Sequence, residues 1–345
     1  MEKVRLGDHV KIKTGKLDAN ASSPNGQYPF FTCSVTPLKI DTYSYDCECV
    51  LVAGNGDLNV KYYNGKFDAY QRTYIIESTD TTKLSVPYLY CFLDKYVETL
   101  RQESIGGVIK YIKLGNLTEA IIPLPSIESQ QKIVEDLNMV SRLIDKRKEQ
   151  LAKLDTLVKS RFIEMFGDPI TNSKCLPTNN LGKVLLLKAG DFTAASDIAA
   201  DPTTENIYPC YGGNGIRGYV AEYNQEGSYS LIGRQGALSG NVQYATGKFK
   251  NTEHALLVTP LIEMNSVWLN HLLINLDLQR YQTGAAQPGL SVKNLQEIPI
   301  IEVPKEDQNQ FADFVKQTDK SKLAIQQSLE QLEILKKSLM QKYFG

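Results

Sequence analysis

The chain has 345 residues, with 38 lysines and arginines against 39 aspartates and glutamates, and a formal net charge of −1. That length predicts two domains rather than one, and a hydrophobic content of 42% excludes a disordered chain. The balanced charge argues against a nucleic-acid binder that works through one strongly basic patch.

The cysteines and histidines suggest neither a metal site nor a disulfide framework. None of the six cysteines forms a C-x-x-C pair and the three histidines stand far apart, whereas a structural zinc site has paired ligands at short spacing. We therefore expect no metal in this chain. The first residues contain no apolar stretch typical of a signal peptide, and no run approaches a transmembrane length of about 18 apolar residues. These features predict a cytoplasmic protein whose cysteines are small core residues.

In chain order, the predicted elements form two similar series of short strands and a short helix. Apolar runs bounded by glycine, asparagine and aspartate indicate the strands. The first series comprises strands at Val50–Ala53 and Thr73–Ile76 and a helix at Pro87–Leu93; the second comprises strands at Tyr229–Ile232 and Ala255–Val258 and a helix at Val267–Ile274. Trp268 in the last helix is predicted to lie in the core. Many Gly-Asn turns and few long helices argue against a doubly wound sheet.

Each series is followed by a long helix. Apolar residues recur at alternating spacings of four and three from Ile133 to Val158, and again from Phe311 to Leu339. Such a narrow stripe predicts a coiled coil between the two helices; the alternative is two helices that each pack only on their own domain. About 37 residues would make a helix about 55 Å long.

The two series and their helices are an internal duplication. Residues 130–167 align without a gap with the sequence 178 positions later, which places Lys159-Ser160 on Lys337-Ser338 and Phe166-Gly167 on Phe344-Gly345. The upstream parts match more loosely, at shifts between 175 and 182: Leu6-Gly7 with Leu181-Gly182, Tyr28-Pro29 with Tyr208-Pro209, and Gly65-Lys66-Phe67 with Gly247-Lys248-Phe249. Each repeat is therefore a divergent domain followed by a better-kept helix.

No motif predicts catalysis. Residues Gly213–Gly218 fit the pattern G-x-G-x-x-G, but no helix is predicted to follow, and Leu238 stands where a dinucleotide-binding fold needs an acidic residue. We interpret the pattern as a turn-rich loop, which either brings backbone amides close to DNA or is purely structural. The Asn/Asp-Pro-Pro-aromatic motif of amino-methyltransferases is absent, and the scattered histidines define no Ser-His-Asp set.

The order and duplication of several short motifs resemble the specificity subunit of a type I restriction–modification enzyme. The resemblance covers essentially the whole chain. The motifs that carry it are Leu6-Gly7-Asp8 with Lys13-Thr-Gly15, Leu181-Gly182-Lys183 with Lys188-Ala-Gly190, Tyr211-Gly-Gly-Asn-Gly-Ile-Arg-Gly-Tyr219, Ile232-Gly-Arg-Gln-Gly236, Thr252-Glu-His-Ala255, Gly284-Ala-Ala-Gln-Pro288 with Ser291, and the helix lead-ins Ile122-Pro-Leu-Pro125 and Val303-Pro304. The first domain departs from the pattern, with Ala53-Gly-Asn-Gly56 in place of Gly233-Arg-Gln-Gly236, which suggests that the two domains read different sequences.

The resemblance implies an α+β fold, with two mixed α/β target recognition domains separated by two long antiparallel coiled-coil helices in a pseudo-twofold repeat. The expected divisions are target recognition domain 1 at 1–125, helix 1 at 126–167, target recognition domain 2 at 168–304 and helix 2 at 305–345. It implies a non-catalytic reader of a split double-stranded DNA target, with no membrane partner. The helices would set the spacer and dock two methyltransferase subunits, which a motor-nuclease restriction subunit joins. S-adenosylmethionine, ATP and Mg²⁺ would belong to those partners.

Candidate base-reading residues are loop side chains that can form paired hydrogen bonds, because arginine pairs with guanine and glutamine or asparagine with adenine. The candidates are Asn55, Lys61, Gln71, Arg72 and Lys110 in the first domain, and Asn214, Arg217, Arg234, Gln235, Asn251, His254 and Gln287 in the second. For each of them, the alternative is a solvated loop residue or an internal hydrogen bond.

Two other functions remain open. One is the specificity subunit of a related system whose partner fuses methylation and cleavage, and the other is a two-armed protein scaffold without a DNA role. No segment is basic, and residues 168–304 carry a net charge of −3. We therefore expect poor DNA affinity for the chain alone, with partners making most of the contacts to the DNA phosphates.

Overall fold

The computed structural model describes residues 2–284 and 289–345. The chain divides into two compact units, Met1–Lys148 together with Gln327–Gly345, and Glu149–Gln326. Each unit contains one of the duplicated domains and a segment of each long helix. The two units meet inside the long helices, at residues 148/149 and 326/327, and so do not test the domain boundaries predicted at residues 125, 167 and 304. Those boundaries stay predictions. In the described part of the chain, no helix is both long and apolar enough to cross a membrane.

The first domain is a six-stranded mixed sheet covered by a helix. Its elements are β1 (Lys3–Arg5), β2 (Val10–Thr14), β3 (Tyr28–Phe31), β4 (Leu38–Ile40), β5 (Tyr45–Ala53), β6 (Val60–Ala69), β7 (Thr73–Ser78), α1 (Val86–Glu103), α2 (Leu114–Thr118) and β8 (Ile121–Pro123), followed by the long helix α3 (Ile127–Phe166). The strand order is β2-β7-β5-β6-β3-β4, and β1 pairs with β8 in a separate two-stranded sheet.

The second domain repeats the strands and helices of the first in the same order, with a short helix (Leu181–Val184) where the first domain has a 3-10 turn at Leu6–Asp8. They are β9 (Thr178–Asn180), α4 (Leu181–Val184), β10 (Leu185–Ala189), β11 (Tyr208–Gly212), β12 (Gly215–Val220), β13 (Gln225–Gly233), β14 (Val242–Asn251), β15 (Ala255–Pro260), α5 (Ser266–Asn275), α6 (Val292–Gln296) and β16 (Pro299–Ile301), followed by the long helix α7 (Lys305–Phe344). The strand order β10-β15-β13-β14-β11-β12 matches the first sheet strand for strand, so the duplication extends through the divergent domains.

Central strand β5 is buried on both faces, which explains its continuous apolar sequence. Val50 and Val52 pack toward α1, whereas Cys49 and Leu51 belong to a second core cluster on the opposite face. The predicted strands are confirmed in β5, β7, β13 and β15. Trp268 is fully buried, as predicted.

Helix α1 is longer than the apolar run that predicted it, because its last turns are more polar and partly exposed. Its start is fixed by Ser85, whose hydroxyl accepts a hydrogen bond from the Tyr88 amide, and by Pro87 in the first turn.

The long helices run antiparallel and pack on each other, as predicted. In the first unit, the Tyr343 hydroxyl donates a hydrogen bond of 2.9 Å to Asp136, and Lys148 lies 3.7 Å from Glu333. In the second unit, Lys322 forms an ion pair of 2.6 Å with Asp155, and the Arg161 guanidinium lies over the Phe314 ring. In each unit, residues farther along α3 therefore contact residues nearer the start of α7, as in an antiparallel pair.

One glutamine in each repeat joins the long helix to its own domain through backbone atoms. The Gln130 side chain is fully buried; it accepts a hydrogen bond from the Ser85 amide and donates to the carbonyls of Lys83 and Pro125. Gln308, 178 positions later, accepts from the Asn265 amide and donates to the Val303 carbonyl.

Candidate nucleic-acid interface

Three loops of the second domain form one cavity of about 450 Å³. The β11–β12 hairpin supplies Asn214 from its turn and Arg217 from strand β12, the loop after β13 supplies Gln235, and the turn between β14 and β15 supplies His254. Four of the residues predicted from sequence therefore line the same concave surface. The other residues of the lining are small or aliphatic: Gly213, Gly236, Ala237 and Leu238.

Backbone contacts hold these loops together, which positions the polar side chains at their tips. The Arg234 amide donates a hydrogen bond of 3.0 Å to the His254 carbonyl. A Cβ atom on Gly233 would clash with the Gly213 carbonyl oxygen, so this approach of the two loops requires glycine. Asn241, which the sequence interpretation missed, donates a hydrogen bond of 2.8 Å to the Asn214 side chain.

The G-x-G-x-x-G pattern is a β-hairpin in the structure. Gly213 and Asn214 form the turn between β11 and β12, and the following residues continue as a strand rather than a helix. The dinucleotide site that the sequence disfavoured therefore lacks the helix N-terminus that it would need.

The first domain brings together the β5–β6 and β6–β7 loops, which correspond to two of the connections at the cavity, and the loop between α1 and α2. The Gly54 amide donates to the Arg72 carbonyl over 2.8 Å, and the Gly56 amide donates to the Lys110 carbonyl over 2.9 Å. Asn55 forms a β-bridge with Tyr111. The side chains of Gln71, Arg72 and Lys110 are exposed.

Lys61 differs from these residues because it is partly buried. Its ammonium donates a hydrogen bond to the Asn59 side chain, and burial lowers the pKa of Lys61. Asn59, which was not predicted, also donates a hydrogen bond of 2.8 Å to the Cys33 carbonyl. It thereby ties the β3–β4 loop to the β5–β6 loop.

Three candidates of the second domain do not line the cavity. Arg234 is partly buried, and its carbonyl accepts a hydrogen bond of 2.9 Å from the Leu290 amide. Asn251 is only 1% exposed, and its backbone amide donates a hydrogen bond of 2.7 Å to the Asn224 side chain. A base would reach the side-chain amide of Asn251 only if the neighbouring chain moved. Gln287 lies outside the described residues.

Metal ligands and reactive thiols were sought among the described residues of the chain. Within 2–284 and 289–345, no group of three or more His, Cys, Asp or Glu side chains is placed to hold a metal ion. Burial raises the pKa of the Cys210 thiol and raises that of Cys91 to about 12, so these thiols stay protonated at neutral pH and are poor nucleophiles.

A family profile and two curated relatives match this chain. The profile of the type I restriction modification DNA specificity domain matches residues 1–156 and again residues 179–334. The specificity subunit of the Escherichia coli type I restriction enzyme EcoDI is 38% identical over 156 residues, which cover 45% of this chain and 34% of that subunit. The E. coli EcoprrI specificity subunit is 31% identical over 223 residues, or 62% and 55% of the two chains. The matches thus span only part of these relatives.

Two solved structures share the fold over nearly the whole chain. The S subunit of a type I restriction-modification system from M. genitalium has a TM-score of 0.67 at 19% identity, covering 100% of this chain and 96% of that one. A chain from a study of complex assembly and conformational transition of the type I R-M system has a TM-score of 0.60 at 17% identity, covering 99% and 97%. Because the family profile matches both halves, the chain belongs to the specificity-subunit family of type I restriction–modification systems.

Proposed function

We propose that this chain is the DNA-reading subunit of a type I restriction–modification enzyme and that it catalyses no reaction itself. Each domain binds one half of a split double-stranded target, with its loops in the major groove. The observation that carries the proposal is the cavity of the second domain, where four polar side chains converge from the β11–β12 hairpin, the loop after β13 and the β14–β15 turn.

The residue types at these loops suit the reading of base edges. An arginine such as Arg217 or Arg234 can pair with N7 and O6 of guanine, and Gln235 can pair with N6 and N7 of adenine. The first domain presents Asn55 and Arg72 on the β5–β6 and β6–β7 loops, which join the same strands of the shared frame. Different side chains on the same frame support two half-sites of different sequence.

The glutamine contacts support a modular arrangement in which reading domains can be exchanged. Gln130 and Gln308 bind only backbone groups of their domains. The side chains of the domain can therefore diverge while its attachment to the long helix is kept.

Partners complete the proposed enzyme. Two methyltransferase subunits dock on the long helices, which also set the spacer, and a motor-nuclease subunit joins them. S-adenosylmethionine, ATP and Mg²⁺ then act in those subunits, and the complex works in the cytoplasm. The net charge of −1 supports a role for partners in DNA binding, because a chain without a basic region gains little affinity from counterion release.

The test is to express the full chain with a type I methyltransferase subunit from the same genome and to map methylated bases across the host genome. We expect a motif of two specific parts separated by a fixed gap. Replacing residues 1–125 with the corresponding domain of another specificity subunit should change one part and leave the other unchanged. A change in both parts would contradict the assignment of one domain to each half-site.

The two other functions give different results in the same experiment. A partner that fuses methylation and cleavage would methylate the motif and also cut DNA in the absence of a separate nuclease subunit. A protein scaffold would bind its partners without directing methylation to any motif.

A further inference from the structure

Each domain carries an exposed cluster of two tyrosines and a lysine. In the first domain, the rings of Tyr28 and Tyr43 lie 4.9 Å apart, and the Lys66 ammonium lies 4.6 Å from the Tyr43 ring centre. In the second domain, Tyr208 and Tyr223 lie 5.0 Å apart, and the Lys248 ammonium lies 4.7 Å from the Tyr223 ring centre. We call these clusters the tyrosine–lysine stacks.

The two stacks occupy equivalent positions in the repeat. Both tyrosines recur at a shift of 180 and the lysine at a shift of 182. The ring angles are also nearly equal, at 55° and 58°. The base-reading loops differ between the domains, so the stacks belong to what both domains share rather than to what distinguishes their targets.

The stacks add little to the hydrophobic cores. Tyr43 is 43% exposed and Tyr223 is 40% exposed, whereas Phe67 and Phe249, which directly follow the lysines, are fully buried. The strand alternation thus sends the phenylalanine inward and the lysine outward. In both stacks, interaction with the tyrosine raises the pKa of the lysine, so the group is a cation at neutral pH.

The position of the stack along its strand suits a contact with the DNA backbone. Tyr208 begins β11, and the turn that carries Asn214 follows the last residue of that strand. Four residues of strand span about 13 Å, and the major groove is about 8.5 Å deep and about 12 Å wide. A loop that reads bases at the floor of the groove therefore leaves the stack near the level of the phosphates.

We propose that each tyrosine–lysine stack binds one phosphate of duplex DNA, so that both domains grip the backbone identically while their loops read different bases. This inference rests on the proposed function. An ordered lysine loses less side-chain entropy on binding than a free one, and a chain without a basic region needs phosphate contacts from individually placed cations. Asp46 and Glu226 lie opposite Lys66 and Lys248 on the neighbouring strands, where their negative charges repel a phosphate. Removing either negative charge provides a second test.

The experiment measures the salt dependence of binding between the full chain, in complex with its methyltransferase subunit, and a mixed-sequence duplex of 40 base pairs, by fluorescence anisotropy. The variants are Lys66→Ala, Lys248→Ala, the double variant and the charge-keeping Lys66→Arg. Matched controls are Lys83→Ala and Lys183→Ala, which remove exposed lysines of the same two domains outside the stacks.

Each alanine at a stack should reduce the slope of log affinity against log salt by about 0.9, so that the affinity lost between 50 and 200 mM salt shrinks about 3.5-fold for a single variant and about 12-fold for the double variant. Lys66→Arg and the controls should keep the wild-type slope. Asp46→Asn and Glu226→Gln should raise the affinity.

Three results would overturn the inference alone: an unchanged slope in the folded double variant, an equal reduction in the controls, or a loss confined to the methylated target motif. Folding is checked by circular dichroism. A wild-type chain that binds no duplex, alone or with its methyltransferase, would instead overturn the proposed function.

Discussion

Replacing Gln130 with methionine tests how the long helix is joined to the first domain. Methionine keeps the length and most of the volume of glutamine but forms none of its hydrogen bonds. The same change at Gln308 is the natural comparison, because the residue occupies the equivalent position and forms fewer bonds.

The expected losses follow from the bonds in the structure. Gln130 accepts one hydrogen bond of 2.9 Å and donates two, of 2.6 and 3.0 Å, whereas Gln308 accepts one and donates one, each of 2.8 Å. At about 1 kcal/mol per neutral hydrogen bond, the free energy of local opening should fall by about 3 kcal/mol for Gln130→Met and about 2 kcal/mol for Gln308→Met. The difference corresponds to about a fivefold change in the opening equilibrium.

Hydrogen–deuterium exchange measures these losses directly, because the Ser85 and Asn265 amides donate to the two glutamines. The controls are Gln131→Met and Gln310→Met, which replace exposed glutamines close by on the same helices. Equal protection of the Ser85 amide in Gln130→Met and Gln131→Met would refute the reasoning, as would a larger loss for Gln308→Met than for Gln130→Met.

Three further changes have defined outcomes. Phe344→Ala should lower the free energy of unfolding in urea by about 3–5 kcal/mol, because the ring is buried against Tyr88. Ile334→Ala is the control, because Ile334 is 69% exposed and its loss should change stability by less than about 0.5 kcal/mol. Similar losses for the two variants would contradict this packing. Burial lowers the pKa of His271 to about 4, so the unfolded state takes up a proton as pH falls below about 6.5 and stability should drop by about 2 kcal/mol from pH 7.5 to pH 5. His271→Phe should reduce that drop, as measured by urea unfolding at both pH values, and an undiminished drop would argue against a neutral buried histidine. Arg234→Ala should cost about 1–3 kcal/mol of binding at one base position in a panel of single-base target variants, whereas an equal loss on every sequence would indicate a phosphate contact.

The sequence was sufficient to predict the repeat, the long helices and the central strands, because each depends on a local periodicity. The strands at Val50–Ala53 and Ala255–Val258 are buried on both faces and therefore read as continuous apolar runs. The second half of α1 was missed because Val97 and Leu100 are its only buried apolar residues, and they stand apart from the continuous apolar run at Pro87–Leu93. The edge strands were missed because β4 has only three residues, and because β12 contains two glycines and an arginine in place of an apolar run.

The candidate interface was predictable only in part. Residue type and loop position were enough to select Asn214, Arg217, Gln235 and His254, which share one cavity. The same criteria selected Asn251, which is buried, because sequence does not show which way a side chain at a strand end points. Asn59 and Asn241 hold loops together through contacts distant along the chain, and no local pattern marks them.

The division of each long helix between two compact units has a consequence for synthesis on the ribosome. The first unit needs residues 327–345, which are separated from its other residues by the whole of Glu149–Gln326. At typical elongation rates of about 5–20 residues per second, the missing segment emerges roughly 10–35 s after residue 148. Until then, the site where Phe344 packs between Tyr88 and Phe92 is open to other proteins and to chaperones. The first domain to be made is therefore the last to be completed.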